Sequence, residues 1–235
     1  RLISATKVVT TPDVTSGVLE ALAKVVRQSG VDPSEIAAAM FGTTHCLNAI
    51  LQRKDLARVA VIRIGLPATA AVEPMVDWPS DLREAVGDLK FLVAGGHEYT
   101  GEEITPLDEP RLREICGEIK GKVGAVAITS VFSPVNPDHE ARAAEIVKEE
   151  LGDVPITLSS EIGSIGLLER ENSAILNAAV TFVARRAIQA FVEAMRSLGL
   201  EKAKLYLTQN DGTVMEAEHA ARYPIFTVAT GATNS

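Results

Sequence analysis

Phe41-Gly42-Thr43-Thr44-His45-Cys46-Leu47-Asn48-Ala49-Ile50-Leu51 is the stretch on which the fold turns. An apolar run over 36–41 ends at Gly42, and two hydroxyl residues and a histidine follow. Leu47, Ile50 and Leu51 then recur at the spacing of one helical face. This reads as a strand, a tight turn and a helix N-terminus. Open α/β folds place ligands at such junctions, beyond the carboxyl end of a strand. The unpaired N–H groups of the first helical turn favour an anion or a polarised carbonyl. Glycine at 42 lets the backbone approach a ligand closely, and Thr43 and Thr44 add hydroxyls that donate or accept. The same residues also suit a plain N-cap that serves only the helix.

Upstream, residues 4–10 read as a strand, followed by Thr11-Pro12-Asp13, an N-cap with proline in the first helical position. Val18, Leu22, Val25 and Val26 form a helical stripe that Gly30 ends, and Asp32-Pro33-Ser34-Glu35 fits a capping box before the central strand. Downstream, 57–64 is a β-branched run typical of a buried strand. Periodicity fades over 65–106, apart from a short strand at 90–93 and a hairpin turn over 97–103. Asp108 caps a helix whose apolar face is Leu112, Ile115, Cys116 and Ile119. A strand over 123–131, a helix opened by Pro137 and reaching Leu151, and a strand over 155–159 follow. Strands alternating with helices of this length predict an α/β fold with a parallel layer. After Ser160 the pattern changes. Leu176, Val180, Val183, Ala187, Phe191, Met195 and Leu198 keep helical spacing up to Gly199. Strands at 204–207 and 225–229 come next, so the sequence predicts a first lobe over 1–164 and the start of a second over 165–235.

Bulk composition excludes several classes. The 235 residues are 46% hydrophobic, enough for a sizeable core, and a net charge of −8 without a basic cluster argues against nucleic acid or an anionic membrane as partner. Two cysteines, Cys46 and Cys116, make no disulfide framework and fit a reducing cytoplasm. No signal peptide or continuous bilayer-spanning apolar run is visible. The chain opens at Arg1-Leu2-Ile3 and closes at Thr233-Asn234-Ser235, which reads as a fragment of a longer protein.

Three polar turns follow strands: Gly42-Thr43-Thr44, Asn210-Asp211-Gly212-Thr213 and Thr230-Gly231-Ala232-Thr233-Asn234. Together they suggest a shared cleft, although Asp-Gly is first of all a tight-turn signal. His45 is the candidate catalytic residue, because a helix N-terminus disfavours imidazolium and keeps a neutral ring available. His45, His97, His139 and His219 show no HxH or HExxH spacing, so no metal site is predicted. His139, beside Glu140, falls in the first turn of a helix, where capping is expected. Cys46 reads as a buried thiol rather than a nucleophile. Neither GxSxG, GxxxxGK[ST] nor GxGxxG occurs.

GTTHCLNAILQR, at 42–53, resembles the GTT-x-x-x-N-A-[IL]-L signature of the hydantoinase A / oxoprolinase family. Residues 8–13 are similar to its K-x-x-T-T-P-D segment, and 127–140 to A-V-[SA]-x-x-x-F-S-x-x-N-P-x-H-E. Ser159-Ser160-Glu161 with Glu169-Arg170-Glu171-Asn172 and Asn177-Ala178 resembles S-S-E…E-R-x-x-[ST]…x-N-A, and 208–235 resembles the family's [SN]-D-G…T-x-x-[ST]-G-[AP] stretch. The resemblance implies an actin-like ATPase (ribonuclease H-like) fold, incomplete here. It implies ATP and Mg²⁺ as cofactors and ring opening of a hydantoin or 5-oxoproline by phosphorylation of the amide carbonyl. A small cyclic amide, a B-type hydantoinase subunit and further copies of the chain are the implied partners. Ketone carboxylation, or a non-catalytic nucleotide- or metabolite-binding regulatory module, is the alternative. The family's two D-x-G-G-T phosphate loops are absent, so the fragment alone is expected to be inactive. Gly-Ala at 231–232, where the family usually has Gly-Pro, points to a hydantoinase-like subgroup. Gly42, Thr43, Thr44 and Asn48 are then expected to line the substrate or phosphate cleft, and Asn210, Asp211, Gly212 and Gly231 to approach it.

Overall fold

A computed structural model of the chain describes residues 1–8 and 14–230. The chain divides into two compact units, residues 48–182 and residues 1–47 with 183–235. Compactness thus divides it elsewhere than at the expected 164/165 boundary.

The unit formed by the two chain ends begins with helix α1 (Val14–Ser29), stopped where Gly30 takes φ +66°. Asp32 then caps a single 3₁₀ turn by accepting from the Ser34 N–H at 2.9 Å. Strand β1 (Ala38–Phe41) leads into helix α2 (His45–Gln52). β1 does not join the strands that follow it in sequence. Its partner is β6 (Lys204–Thr208), a strand from the far end of the chain. The two run parallel, with Phe41 opposite Leu207, and β6 turns back antiparallel into β7 (Val214–Glu216). Met195, Leu200 and Ala203 form a core with Leu22, Val26, Ile36 and Ala39, and the Phe41 ring stacks on Phe191 at 4.5 Å.

The other unit holds β2 (Val59–Leu66), β3 (Leu89–Ala94), β4 (Ala125–Ser130) and β5 (Ile156–Leu158) in a parallel sheet of order β3-β2-β4-β5. Side chains alternate between its faces. Ala60, Ile62, Ile64, Val126 and Ile128 pack against α4 (Glu109–Ile119) and α5 (Asp138–Leu151). Val59, Val61, Ala125 and Ala127 pack against α3 (Ser80–Val86) and the first half of α6 (Leu167–Ser197). Both faces are covered, which is why β2 and β4 are buried almost throughout. A fully buried isoleucine such as Ile62 contributes roughly 1.5–3 kcal/mol over an exposed one. Leu112, Ile115, Cys116 and Ile119 are all fully buried, as the helical stripe predicts.

Three elements differ from the sequence reading. Residues 4–8 form no strand, and 9–10 lie outside the described residues. The expected strand at 225–229 is instead a 3₁₀ turn, Pro224–Thr227, because Pro224 comes one residue after the short helix α7 (Ala217–Arg222) and cannot donate to a ladder. Helix α3 lies inside the stretch where periodicity had faded, being too short at seven residues to show a period. Among the described residues α6 is the one helix long and apolar enough to cross a membrane by length and composition alone, and half of its most apolar window is buried inside the protein.

Candidate functional site

The β1–α2 turn is built around Thr43. Its hydroxyl accepts from the His45 backbone N–H at 3.2 Å, satisfying one of the helix's unpaired first-turn donors, and it also meets His45 Nδ1 in a short contact. In that contact the hydroxyl donates to Nδ1 when the ring carries its proton on Nε2, and accepts when the proton is on Nδ1. Burial pushes the imidazole below its ordinary pKa, which keeps it neutral near pH 7. The Thr230 hydroxyl donates to the Thr43 carbonyl at 3.0 Å and so ties the last described segment to this turn. Cys46, the second residue of α2, is 2% exposed, and burial raises its thiol to about 11. It is a packing residue, not a nucleophile.

Because β1 and β6 are parallel, their carboxyl ends emerge together, and the Thr208 hydroxyl donates to the Phe41 carbonyl at 3.5 Å. Asn210 then acts as a staple. Its N–H donates to Phe226 O at 2.7 Å, its amide to Ile225 O at 3.0 Å, and its Oδ1 accepts from Ala229 N–H at 2.7 Å. Thr43, His45, Asn210 and Thr230 are thereby gathered at one sheet edge. Asp211 and Gly212 instead form the β6–β7 hairpin turn: Asp211 Oδ1 accepts from the Thr213 N–H and hydroxyl, which hold its carboxyl below the usual range, and Gly212 takes φ +86°. Gly42 and Thr44 are exposed in the turn, and Asn48 is exposed on α2, three residues after His45. Gly231 lies outside the described residues. Directly behind the turn, Thr43, His45, Cys46, Ala187, Ile188 and Thr227 enclose only about 10 Å³, so any ligand must come from the open side.

The carboxyl edge of the parallel sheet is of another character. The sheet's switch point falls between β2 and β4, where α/β folds usually leave a ligand crevice. Here the loops close on one another: a Cβ on Gly65 would come 2.7 Å from Val131 Cγ2, and one on Gly96 3.2 Å from Val131 Cβ. Buried charges fill the surroundings. Arg63, in mid-β2, forms a two-pronged pair with Glu171 of α6, one contact at 2.7 Å, and both side chains are fully buried. Glu140, fully buried in α5, accepts from Ser130 N–H (2.8 Å), Ser159 Oγ (2.5 Å), Ser160 N–H (2.9 Å) and Ser160 Oγ (2.7 Å). Arg170 donates to Ser159 Oγ at 2.8 Å and to the carbonyls of Ser130 and Ser164 at 2.6 and 2.8 Å. His97 and His139, unrelated by sequence spacing, lie ring against ring at 4.3 Å, with His139 Nε2 3.0 Å from Glu103. None of these residues was singled out as a site residue from sequence, although His139-Glu140 and the segment 159–172 carry parts of the family resemblance.

The model of the hydantoinase/oxoprolinase N-terminal region matches residues 1–151. The chain belongs to the hydantoinase/oxoprolinase family. It is 27% identical over 221 residues to the caprolactamase subunit alpha of Pseudomonas jessenii, covering 85% of this chain and 31% of that protein. It is 27% identical over 237 residues to the acetophenone carboxylase gamma subunit of Aromatoleum aromaticum, covering 87% and 32%. Among solved structures, a nucleotide-free acetone carboxylase matches with a TM-score of 0.75 at 17% identity, over 94% of this chain and 34% of that one. The ATP-dependent caprolactamase of P. jessenii matches with a TM-score of 0.65 at 22% identity, over 88% and 32%. These structures share the α/β, actin-like ATPase-type fold of the family, as the sequence implied. The chain spans about a third of the length of these relatives.

Proposed function

We propose that this chain forms part of a cytoplasmic, ATP- and Mg²⁺-dependent enzyme that opens a small cyclic amide, working with a B-type partner subunit and as an oligomer. One observation carries the reading: the family's GTT signature folds into a turn that presents Gly42, a Thr43–His45 hydroxyl–imidazole pair and the start of α2 at the end of a parallel strand pair. The edge fits an oxyanion better than a cation, with hydroxyls and helix N–H groups and one nearby carboxylate, Asp211, committed to its own turn. When bound, ATP supplies the phosphoryl group that makes an amide oxygen a leaving group. The chain's own part is to orient. Gly42 and Thr44 would line the approach, Thr43 would hold the His45 ring, and its Nε2–H would donate to an oxygen on which negative charge develops. Asn48 and Asn210 complete the proposed lining. Ketone carboxylation is the second reading, favoured by the likeness to acetone and acetophenone carboxylases.

ATP turnover by the full-length protein with its partner subunit and Mg²⁺ tests this. Stimulation by hydantoin, N-methylhydantoin, 5-oxoproline or caprolactam supports amide opening. Stimulation by acetone with bicarbonate selects carboxylation, and no stimulation selects a regulatory module. Thr43→Val is expected to abolish turnover while leaving the melting temperature within a few degrees. A large fall in melting temperature makes Thr43 a structural cap instead.

A further inference from the structure

His97, Glu103 and His139 are far apart by motif logic, yet one ring nitrogen of each histidine and a carboxylate oxygen of Glu103 all lie within 4.8 Å of one another. The fold brings them together from two places. His97 and Glu103 face each other across the antiparallel bridge of a short hairpin that follows β3. His139 comes from the first turn of α5. Asn136, just before α5, donates to the Gly101 carbonyl at 3.2 Å and holds the hairpin tip down.

As the group stands, its hydrogen bonds are incomplete. Gly96 N–H donates to His139 Nδ1 at 2.9 Å, so His139 carries its proton on Nε2 and gives it to Glu103. His97 is 1% exposed, and its Nδ1 has no partner at all. A buried ring nitrogen without a partner calls for an explanation, and a bound ion is one. Burial, together with the neighbouring His139, lowers the pKa of His97, so the ring is neutral near pH 7.

We propose that His97, Glu103 and His139 form a binding site for a divalent transition metal of the zinc class. The donor set decides the class. Two imidazoles and one carboxylate are the ligands of borderline ions, whereas Mg²⁺ and Ca²⁺ take oxygens. Glu103 and His139 are already at the separation of neighbouring ligands, and Glu103, with a side chain 55% exposed, sits on the side from which an ion would enter. Three protein ligands leave a fourth position open to water or to a substrate atom.

Binding requires one rearrangement, and the sequence allows it. To offer Nε2 to a metal, His139 must move its proton to Nδ1, where the Gly96 N–H now points. The intervening peptide joins Gly95 and Gly96, at φ +137° and +99°, and glycine on both sides gives its plane the conformational freedom to turn over. Gly95 C=O would then accept from Nδ1–H, the usual support behind a ligating histidine. The proton moves within the ring and none is lost.

The test is zinc binding by the EDTA-stripped full-length protein, followed by calorimetry and by Co²⁺ absorption, with Glu103→Gln and His97→Asn as variants. We expect one equivalent of Zn²⁺ that Glu103→Gln weakens at least ten-fold, intense low-symmetry Co²⁺ bands lost in both variants, and a rise in melting temperature that Mg²⁺ does not reproduce. Because Glu103 is at a half-exposed rim, Glu103→Gln keeps the fold and the comparison valid even where His97→Asn unfolds. Nitrogen-15 shifts of His139 should pass from the Nε2–H to the Nδ1–H tautomer when zinc is added. Zinc bound equally well by Glu103→Gln, stabilisation by Mg²⁺ as large as by Zn²⁺, or no zinc bound by the parent protein would each overturn the site.

Discussion

The two strand-end regions solve the same problem with different materials. At the β1–β6 edge, neutral groups do the work: hydroxyls, an amide and a neutral imidazole, each engaging backbone or a near neighbour. Around the edge of the parallel sheet Arg63, Glu140, Arg170 and Glu171 are buried charged groups held by partners in the interior. Arg63 and Glu171 are 108 residues apart. A neutral edge can rearrange around a ligand at small cost, whereas a buried charge that loses its partner is expensive. The comparison teaches that the first edge is suited to visiting ligands and the buried ion pairs of the second to holding its shape.

The largest effect that could break this contrast is at Arg63. Arg63→Ala or Glu171→Ala should destabilise the protein by about 3–5 kcal/mol in chemical denaturation, since each leaves a charge alone in the interior. The paired change Arg63→Met with Glu171→Leu should recover most of the loss. If the single changes prove mild, the second edge is not the rigid one. Asn210→Ala comes next, at about 2 kcal/mol, because it strips partners from the Ile225 carbonyl and the Ala229 N–H. Asp211→Ala, one residue on and exposed, should lower the denaturation midpoint far less, losing only the bonds within its own turn.

The smallest effect is set by pH. Unfolded, His45 titrates near its ordinary value of about 6.5. Folded, burial holds it lower. The unfolded chain therefore binds more protons in the interval between those values. This contribution to stability is complete above about 6.5 and is lost as the pH falls toward the folded value. Imidazole NMR should show His45 titrating below the ordinary range with an Nε2–H tautomer throughout its neutral form. A normal midpoint would mean that the ring is not buried in solution.

These two edges were unequally legible in the sequence. Gly42-Thr43-Thr44-His45 is contiguous, and hydrophobic period plus turn chemistry located it without any tertiary knowledge. Most helices and the strands of the parallel sheet were readable for the same reason. The pairing of β1 with β6 was not, because nothing local encodes a partner 166 residues away, as between Ala38 and Lys204. Arg63 in an otherwise apolar strand was a visible anomaly, and a charge in a run such as Val59-Ala60-Val61-Ile62 is itself a reason to look for a distant counter-charge. The His97–His139 contact left no comparable trace. Spacing rules find ligands carried on one helix or hairpin, and these two arrive on a hairpin and a helix separated by a strand and a second helix.

The two cysteines give the experimenter an unplanned convenience. Cys46 and Cys116 are both buried, and both thiols are pushed up by that burial, Cys46 to about 11. At neutral pH neither offers a thiolate to a maleimide or iodoacetamide. A single cysteine introduced at an exposed position, such as Tyr99 at the hairpin tip or Asp211 in the β6–β7 turn, should therefore take a fluorophore or spin label selectively in the otherwise native chain.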